Sequence, residues 1–390
     1  MRPDRSPISQ AMTLAHQSED QMSTAQDAPG TNLTDRLRER IRREGPVSFH
    51  DWMETALYDE RDGYYCRPDF MRQGRSGDYR TAPETSALFA ATFANYFAKS
   101  YFDFEAPRRW TIVEAGAGGG QFARGVLTRL QTCFPKVFKA TRYLIDDVSP
   151  DARAKAGARL EQFSDRVEFR RLYEISEPLA EAIIFSNELI DAFPVHRVIR
   201  RHDTLRELCV GIDETDNFVW VECELDSRVA EYCKGIDLLL AEGQVYEINL
   251  EAGDFVSRAA FLIKRGLLIT VDYGASRHEL INRFTGTLRA FRKHQFVDDV
   301  LANPGAQDLT TTVDWTQLQE AGALYGLEQL RFERLDQFLL NEGLLETLST
   351  MINQLGKPAD VVNLQLGARE MIRPDGLAAS FQVLIQRKEH

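Results

Sequence analysis

The stretch "VEAGAGGGQF", residues 113–122, decides the fold of this chain. It predicts a short buried strand that ends in a glycine loop and opens a helix. Further short apolar segments alternate with helical ones on both sides of it. The predicted strands are 110–116, 141–149, 166–172, 181–190 and 265–274. Strands that alternate with helices predict an α/β protein with a doubly wound, mostly parallel sheet.

The rest of the chain divides into three parts. Residues 1–30, rich in Ser, Gln, Asp, Ala and Pro, predict a disordered tail. Residues 31–105 predict an N-terminal helical region with a loop, and residues 106–390 form the core. We expect insertions in that core at about 197–260, which includes an antiparallel meander, and at about 276–360, which is mainly helical and loopy. The segment 379–388 is predicted to be a closing antiparallel strand.

Composition limits the function. The 390 residues carry 59 acidic and 47 basic side chains, a net charge of −12, which argues against nucleic acid as a partner and suits a cationic substrate. The five cysteines include no C-x-x-C pair, which predicts a reducing compartment with neither a disulfide framework nor a metal site.

Location is inferred from apolar runs and from the N-terminal tail. No run reaches the roughly 18 apolar residues of a membrane span. The first 30 residues lack a secretory apolar core, and their acidic residues argue against a mitochondrial presequence. We therefore expect a cytoplasmic protein.

The glycine loop itself favours one class of cofactor. A dinucleotide fingerprint needs a third glycine where this chain has Gln121. The spacing present is acid-x-Gly-x-Gly-x-Gly, from Glu114 through Gly116 and Gly118 to Gly120. That spacing is typical of methyltransferases that use S-adenosylmethionine (SAM), and "LIDD" supplies a carboxylate for the ribose hydroxyls about 30 residues later. A tight turn with no ligand is the alternative interpretation.

Several segments in the same order resemble the MidA family of SAM-dependent methyltransferases. They are "GPVSFHDWMETALYDERDGYY" (45–65), "GDYRTAPETSALF" (77–89), "VEAGAGGG" (113–120), "SNELIDAFPV" (186–195), "VDYG" (271–274) and "LRAFRKHQFVDDVLANPGAQDLTTTVDW" (288–315). The resemblance, over about 33–386, implies a class I SAM-methyltransferase fold, Rossmann-like. The mitochondrial member of this family is a complex I assembly factor and a protein arginine methyltransferase, so a protein substrate, such as a respiratory-complex subunit, is implied.

The resemblance also implies a set of cofactor-binding residues. One group lies on a loop that closes over SAM, a second belongs to the glycine loop, and the rest end two strands. The implied residues are Gly77, Asp78, Thr81, Pro83, Glu84, Glu114, Gly116, Gly118, Asp147, Val148 and Asn187.

Three residues are candidates for catalysis. Carboxylates hold a guanidinium by bidentate hydrogen bonds, so Glu188 is the first candidate and Asp191 the second. The alternative is that Asn187 and Asp191 cap a helix start. His294 lies in a segment that covers the active site in this family, and it is a candidate base or substrate contact. Three aromatic residues are candidate pocket walls that would serve a core equally well, namely Tyr64, Tyr65 and Tyr273.

Departures from the family pattern keep other functions open. The residues concerned are Ala91, Ala117, Gly119 and Thr312. They leave the cofactor site intact but allow a different protein or small-molecule substrate. A catalytically idle assembly or binding module is the third hypothesis, and the retained acids argue against it. A homodimer is expected from the apolar N-terminal helical region.

Overall fold

The computed structural model describes residues 32–67, 87–292, 295–355 and 357–389. The tail 1–30, the predicted loop residues Gly77, Asp78, Thr81, Pro83 and Glu84, and the candidate base His294 lie outside the described residues. None of the helices in the described ranges is both long and apolar enough to cross a membrane.

The α-helices, numbered in chain order, are α1 (Leu33–Glu44), α2 (Phe49–Tyr58), α3 (Ala87–Asp103), α4 (Gln121–Cys133), α5 (Pro135–Ala140), α6 (Pro150–Arg159), α7 (Ser227–Gly235), α8 (Leu250–Leu262), α9 (Arg277–Ile281), α10 (Trp315–Leu324), α11 (Leu335–Asn341), α12 (Leu344–Ile352) and α13 (Pro358–Ile372). The strands are β1 (Val47–Ser48), β2 (Trp110–Ala115), β3 (Thr141–Asp146), β4 (Val167–Phe169), β5 (Leu179–Asn187), β6 (His196–Arg201), β7 (Thr204–Ile212), β8 (Phe218–Cys223), β9 (Val245–Ile248), β10 (Ile263–Ala275), β11 (Arg289–Arg292), β12 (Gln295–Val297), β13 (Asp308–Thr310), β14 (Val313–Asp314), β15 (Glu328–Arg334) and β16 (Phe381–Lys388).

The central sheet has the order β4-β3-β2-β5-β10-β16-β15, and the short β14 pairs with β10. Its first five strands are parallel, and β16 runs antiparallel to both of its neighbours. The predicted α/β class and the closing antiparallel strand are therefore confirmed. The chain leaves β2 toward β3 and β4 and then crosses to β5 on the other side of β2. This reversal of direction opens a crevice at the carboxyl ends of β2 and β5, where open α/β sheets bind ligands.

Helices cover both faces of the central sheet. Alternate residues of β2 face opposite ways, so Ile112 packs with the helices on one face and Val113 with those on the other. On the first face Phe122 of α4 stacks on Phe185 of β5, with ring centroids 4.4 Å apart. On the second face α8 and α10 bury Phe255 and Trp315. Burial on both faces explains why the central strands are continuous apolar runs.

A second, antiparallel sheet lies next in the chain after β5. Its order is β1-β7-β6-β9, with β8 paired to β7, so the predicted meander is confirmed. At the turn after β7 the Asp213 carboxylate accepts hydrogen bonds from the backbone N–H groups of Thr215 (2.8 Å) and Asn217 (2.9 Å). Helix α2 packs on this sheet, and its start is capped by Ser48, which accepts a bond from Asp51 N at 3.0 Å.

Candidate cofactor and acceptor cleft

A cleft of about 530 Å³ opens at the carboxyl ends of β2, β3 and β5. The glycine loop and the end of β3 form one side of it, and the segment after β5 with helices α2 and α8 forms another. The lining residues are Glu54, Tyr58, Tyr65, Ala115, Gly116, Gly118, Gly119, Gln121, Asp146, Asp147, Val148, Asp151, Ala152, Lys155, Arg159, Arg171, Leu172, Tyr173, Glu188, Leu189, Ala192, Phe193, Pro194, Glu251 and Phe255. The structure thus brings five predicted residues together on one cavity, namely Gly116, Gly118, Asp147, Val148 and Glu188.

The glycine loop requires glycine at alternate positions. Gly116, Gly118 and Gly120 all have positive φ, a conformation that side chains with a Cβ rarely adopt. A Cβ on Gly120 would stand 3.0 Å from the Cβ of Ala156 in α6, and one on Gly116 would stand 2.9 Å from Leu189. A Cβ on Gly118 would meet open space. Gly116 and Gly120 therefore permit close packing, while Gly118 leaves bare backbone at the cleft.

The Asp147 carboxylate connects this loop to the end of β3. Its Oδ2 accepts a hydrogen bond from Gly118 N and its Oδ1 accepts one from Ser149 N, each at 2.8 Å. The backbone of Asp146 accepts bonds from Gly116 N at 2.8 Å and from Ala117 N at 3.2 Å. The loop is thus held in shape by the end of β3 and by Asp147, the predicted ribose-binding acid that follows it.

Two acids near the loop have partners of their own. Glu114 is buried, does not line the cleft, and accepts a bond from the Tyr143 hydroxyl at 2.6 Å. Asp146 accepts a bond at 2.9 Å from Arg171 Nε, and both side chains line the cleft. Burial raises the pKa of Asp146, and the Arg171 charge acts against that rise.

The segment after β5 carries the first catalytic candidate. Glu188 has a φ of +50° and donates its backbone N–H to Val271 O at 2.9 Å. The Asn187 amide donates to Glu188 Oε1 at 3.3 Å. A three-residue 3₁₀ helix, Ile190–Ala192, follows with no side-chain cap, so Asn187 and Asp191 do not cap a helix start. Glu188 lines the cleft in a backbone conformation that is unusual for a non-glycine residue.

Asp191 lies behind the cleft wall. It is 5% exposed, and burial raises its pKa from 3.8 to about 6, against the effect of a hydrogen bond with Tyr273 and the charge of Arg289. The neighbouring Asp272 is fully buried; its carboxylate accepts bonds from Ile190 N (3.0 Å) and Asp191 N (3.3 Å). Burial, together with the Asp191 charge, raises the pKa of Asp272 well above its usual range. Asp191 therefore does not line the cleft, whereas Glu188 does.

Several lining residues were missed from the sequence. Helix α2 contributes Glu54 and Tyr58, and helix α8 contributes Glu251 and Phe255. Each pair joins a carboxylate to an aromatic ring four residues later. That spacing puts both side chains on one helix face, and it is the signal that the sequence offered.

The chain was compared with known proteins. It is 26% identical over 321 residues to "Protein arginine methyltransferase NDUFAF7 homolog, mitochondrial" of Drosophila melanogaster, covering 75% of this chain and 70% of the relative. It is 22% identical over 383 residues to the Homo sapiens "Protein arginine methyltransferase NDUFAF7, mitochondrial", covering 90% of this chain and 82% of the relative. A crystal structure of a COG1565 superfamily member from Burkholderia thailandensis, bound to S-adenosyl-homocysteine, matches with a TM-score of 0.79 at 28% identity. It covers all of this chain and 95% of that one.

The relatives correct one prediction. Both curated proteins are named as mitochondrial, which contradicts the cytoplasmic location inferred from the sequence. That prediction was wrong because acidic residues in the N-terminal tail bear only on a cleavable presequence. They carry no information about where the folded protein works.

The family assignment rests on a separate match. The model of the family described as "Putative S-adenosyl-L-methionine-dependent methyltransferase" matches residues 92–333. This range is more than half of the chain and contains the glycine loop, the end of β3 and the segment after β5. The chain therefore belongs to this family, the MidA group that its motifs resemble, and it is a SAM-dependent methyltransferase.

Proposed function

We propose that this methyltransferase acts on arginine side chains of a protein. Support comes from the relatives named as protein arginine methyltransferases and from the carboxylate of Glu188 at the cleft. The net charge of −12 agrees with a cationic acceptor. A respiratory-complex subunit as the acceptor, and a homodimer as the working form, remain predictions.

The residues of the cleft fit SAM. Gly118 presents bare backbone with open space beside it. Asp147 directly follows β3, and both it and Val148 line the cleft. Asp147 would accept bonds from the ribose hydroxyls, and the backbone at Gly116 and Gly118 would contact the amino-acid part of the cofactor. SAM supplies a methyl group on a positively charged sulfur, a centre that a nucleophile attacks directly.

The observation that carries the proposal is the position of Glu188. Its carboxylate lies on the same cleft as Gly116, Gly118 and Asp147. A carboxylate there would accept two parallel hydrogen bonds from a guanidinium and fix its plane. One guanidinium nitrogen is then aligned for attack, and alignment is the main contribution a protein makes to such a displacement.

Asp191 has a supporting part in this proposal. With a pKa of about 6 it is mostly ionised at neutral pH, and it lies three residues beyond Glu188. A buried negative charge at this place favours a cation in the cleft and so strengthens binding of the guanidinium beside Glu188. Asn187 would hold the Glu188 carboxylate through the bond between its Nδ2 and Oε1. His294 stays a predicted base.

The test is methyl transfer into protein. We would incubate the purified protein with SAM labelled in its methyl group and an extract of cells that lack this protein, then hydrolyse the recovered protein to amino acids. Label in methylated arginine is expected, and an extract without the added enzyme is the control. Label in lysine or in a small molecule would instead support one of the alternative substrates. No transfer, despite measurable SAM binding, would support the idle module.

A further inference from the structure

Two helices present matched pairs of side chains to the cleft. On α2, Glu54 precedes Tyr58 by one turn, and on α8, Glu251 precedes Phe255 by one turn. The aromatic residue Tyr65 lines the cleft beside them. We call Glu54, Tyr58, Tyr65 and Glu251 the aromatic–carboxylate wall. It combines negative charge with ring surface, the two features that a cation binds.

The tyrosines of this wall are fixed in place. Their rings stack with centroids 5.4 Å apart and planes 24° from parallel. The Tyr58 hydroxyl donates to Ala192 O at 2.9 Å, in the segment that follows Glu188, and the Tyr65 hydroxyl donates to Asp308 Oδ1 at 2.7 Å on β13. Both hydroxyls are therefore engaged in holding the wall, and ring surface is what these residues offer to the cleft.

One carboxylate of the wall, Glu251, is bound by a histidine. His50 Nε2 donates to Glu251 Oε1 at 2.9 Å, and His50 Nδ1 donates to Asp51 Oδ1 at 3.3 Å. Burial alone would lower the pKa of His50, but these two carboxylates outweigh it and raise the pKa to about 10. The imidazole is thus protonated at neutral pH and forms an ion pair with Glu251. Partial desolvation in the cleft raises the pKa of Glu54; the charge of His50 acts against that rise and the charge of Glu251 adds to it.

The field around Tyr58 shows which charge the wall prefers. Burial raises the pKa of Tyr58 well above its usual range, and the charges of Glu251, Asp191 and Asp308 act in the same direction. A negative potential that opposes a phenolate at this ring stabilises a cation beside it. Asp147 acts in the same direction, so the acids that produce this potential come from four places distant in sequence: α8, the segments after β3 and β5, and β13.

We propose that the aromatic–carboxylate wall is the subsite that binds the cationic side chain of the methyl acceptor. The inference rests on the proposed function for the identity of that cation, an arginine guanidinium. A planar guanidinium stacks on an aromatic face and still directs N–H groups at carboxylates, so it uses both features of the wall. Tyr58 and Tyr65 would provide the face, and Glu54 and Glu251 would accept hydrogen bonds from the guanidinium N–H groups that Glu188 leaves free.

The test measures binding rather than turnover. Three peptides are titrated by calorimetry into the full chain saturated with S-adenosyl-homocysteine: acetyl-Gly-Arg-Gly-amide, its citrulline analogue and its lysine analogue. The variants are Tyr65→Leu, which removes the ring, Tyr65→Phe, which keeps it, and Glu54→Gln. Glu54 is an exposed side chain, so this variant keeps the fold; Glu60→Gln, also exposed but outside the cleft, is its matched control.

The wild type is expected to bind the arginine peptide more tightly than the citrulline peptide. Tyr65→Leu and Glu54→Gln should each weaken the arginine peptide about tenfold, the range of a partly desolvated cation–π contact. Tyr65→Phe should restore most of that loss, and S-adenosyl-homocysteine should bind all variants within about twofold of the wild type.

The other outcomes separate this inference from the proposed function. Equal binding of arginine and citrulline, no binding of either cationic peptide, or unchanged binding in both Tyr65→Leu and Glu54→Gln would overturn the subsite. Label in methylarginine would still support the arginine function in those cases. Tight, wall-dependent binding of the lysine peptide alone would keep the subsite and remove arginine as the acceptor.

Discussion

The two sides of the cleft differ in how their polar groups are satisfied. On the cofactor side, the N–H groups of Gly116, Ala117 and Gly118 all bond to Asp146 or Asp147. On the acceptor side, the buried Asn187 Oδ1 and Asp191 Oδ1 have no hydrogen-bond partner among the described residues. Buried polar atoms nearly always have a hydrogen-bond partner. These two oxygens near Glu188 therefore mark a place where water or a ligand binds.

This difference suggests different roles for the cofactor side and the acceptor side of the cleft. The cofactor side is held in shape by its own backbone, so changes there should act on cofactor affinity. The acceptor side concentrates carboxylates, of which Glu251 is paired with His50, so changes there should act on turnover and on pH dependence. A variant that changed the wrong quantity, cofactor affinity or turnover, would contradict this division of roles.

The largest effect is expected on turnover for Glu188→Gln. The change keeps the shape of the side chain but removes the charge that orients a guanidinium and accepts its proton. We expect the rate of methyl transfer to fall about a thousandfold, as for removal of a group that positions or takes a proton. The affinity for S-adenosyl-homocysteine should stay within about twofold.

Glu181→Gln is the matched control, since Glu181 lies on the same strand β5 at the opposite end from the cleft. Labelled-methyl transfer and calorimetry give the two quantities. An equal loss of transfer and of cofactor affinity in Glu188→Gln would place Glu188 on the cofactor side.

The next effect is expected on cofactor affinity for Asp147→Ala. This carboxylate bonds to Gly118 N and Ser149 N, so its loss removes a ribose acceptor and loosens the glycine loop as well. Hydrogen bonds to a charged group contribute about 1.5–3 kcal/mol each, so calorimetry should show binding about a hundredfold weaker. Asp165→Ala, at a side chain 70% exposed, should leave affinity unchanged. Full affinity in Asp147→Ala would refute the ribose role.

The sequence was informative where function constrains the backbone. The alternating glycines Gly116, Gly118 and Gly120 predicted the loop because glycine adopts positive φ without strain, and at 116 and 120 a Cβ would also clash with a neighbour. The core strands were predicted because they are buried on both faces and so are apolar throughout. These are local properties that the order of residues carries directly.

The sequence was less informative about contacts between residues that are far apart along the chain. Strand β15, with exposed charges along "EQLRFER", lacks an apolar run, and its place at the sheet edge depends on β16 from the far end of the chain. Likewise Tyr58 and Glu251 meet in one cleft although 193 positions separate them along the sequence. Contacts of this length follow from topology, which a single sequence does not display.

A third prediction sets stability against activity at Asp191. The folded pKa is about 6, against 3.8 for an ordinary aspartate, so above pH 6 the folded state carries an ionised, poorly solvated carboxylate. Asp191→Asn removes it and should raise the free energy of unfolding at pH 8 by up to about 3 kcal/mol. The difference should shrink as pH falls from 6 toward 4, because the folded wild type takes up its proton first. Methyl transfer should nevertheless fall.

Chemical denaturation at pH 8 and pH 4 checks the sign. Asp336→Asn is the contrast, because Asp336 is also buried but binds Arg334 through two hydrogen bonds of 3.0 and 2.8 Å. That substitution removes the charged acceptor of both hydrogen bonds and should destabilise the protein at pH 8. A destabilised Asp191→Asn at pH 8 would show that Asp191 is a structural partner of Tyr273 rather than a stored charge.

The smallest effect separates backbone strain from cofactor contact in the glycine loop. Gly118 and Gly343 have φ values of +53° and +80°; a Cβ on Gly118 meets nothing within 4 Å, and one on Gly343 meets only Glu346 Oε2 at 3.5 Å, an ordinary contact. Alanine at each position should therefore lower the free energy of unfolding by a similar amount, about 1–2 kcal/mol, the strain of a left-handed conformation. Only Gly118→Ala puts a methyl group into the cleft, so only this variant should weaken S-adenosyl-homocysteine in calorimetry. If both variants bind the cofactor like the wild type, bare backbone at Gly118 serves the turn alone, and the cofactor side depends on Asp147 without it.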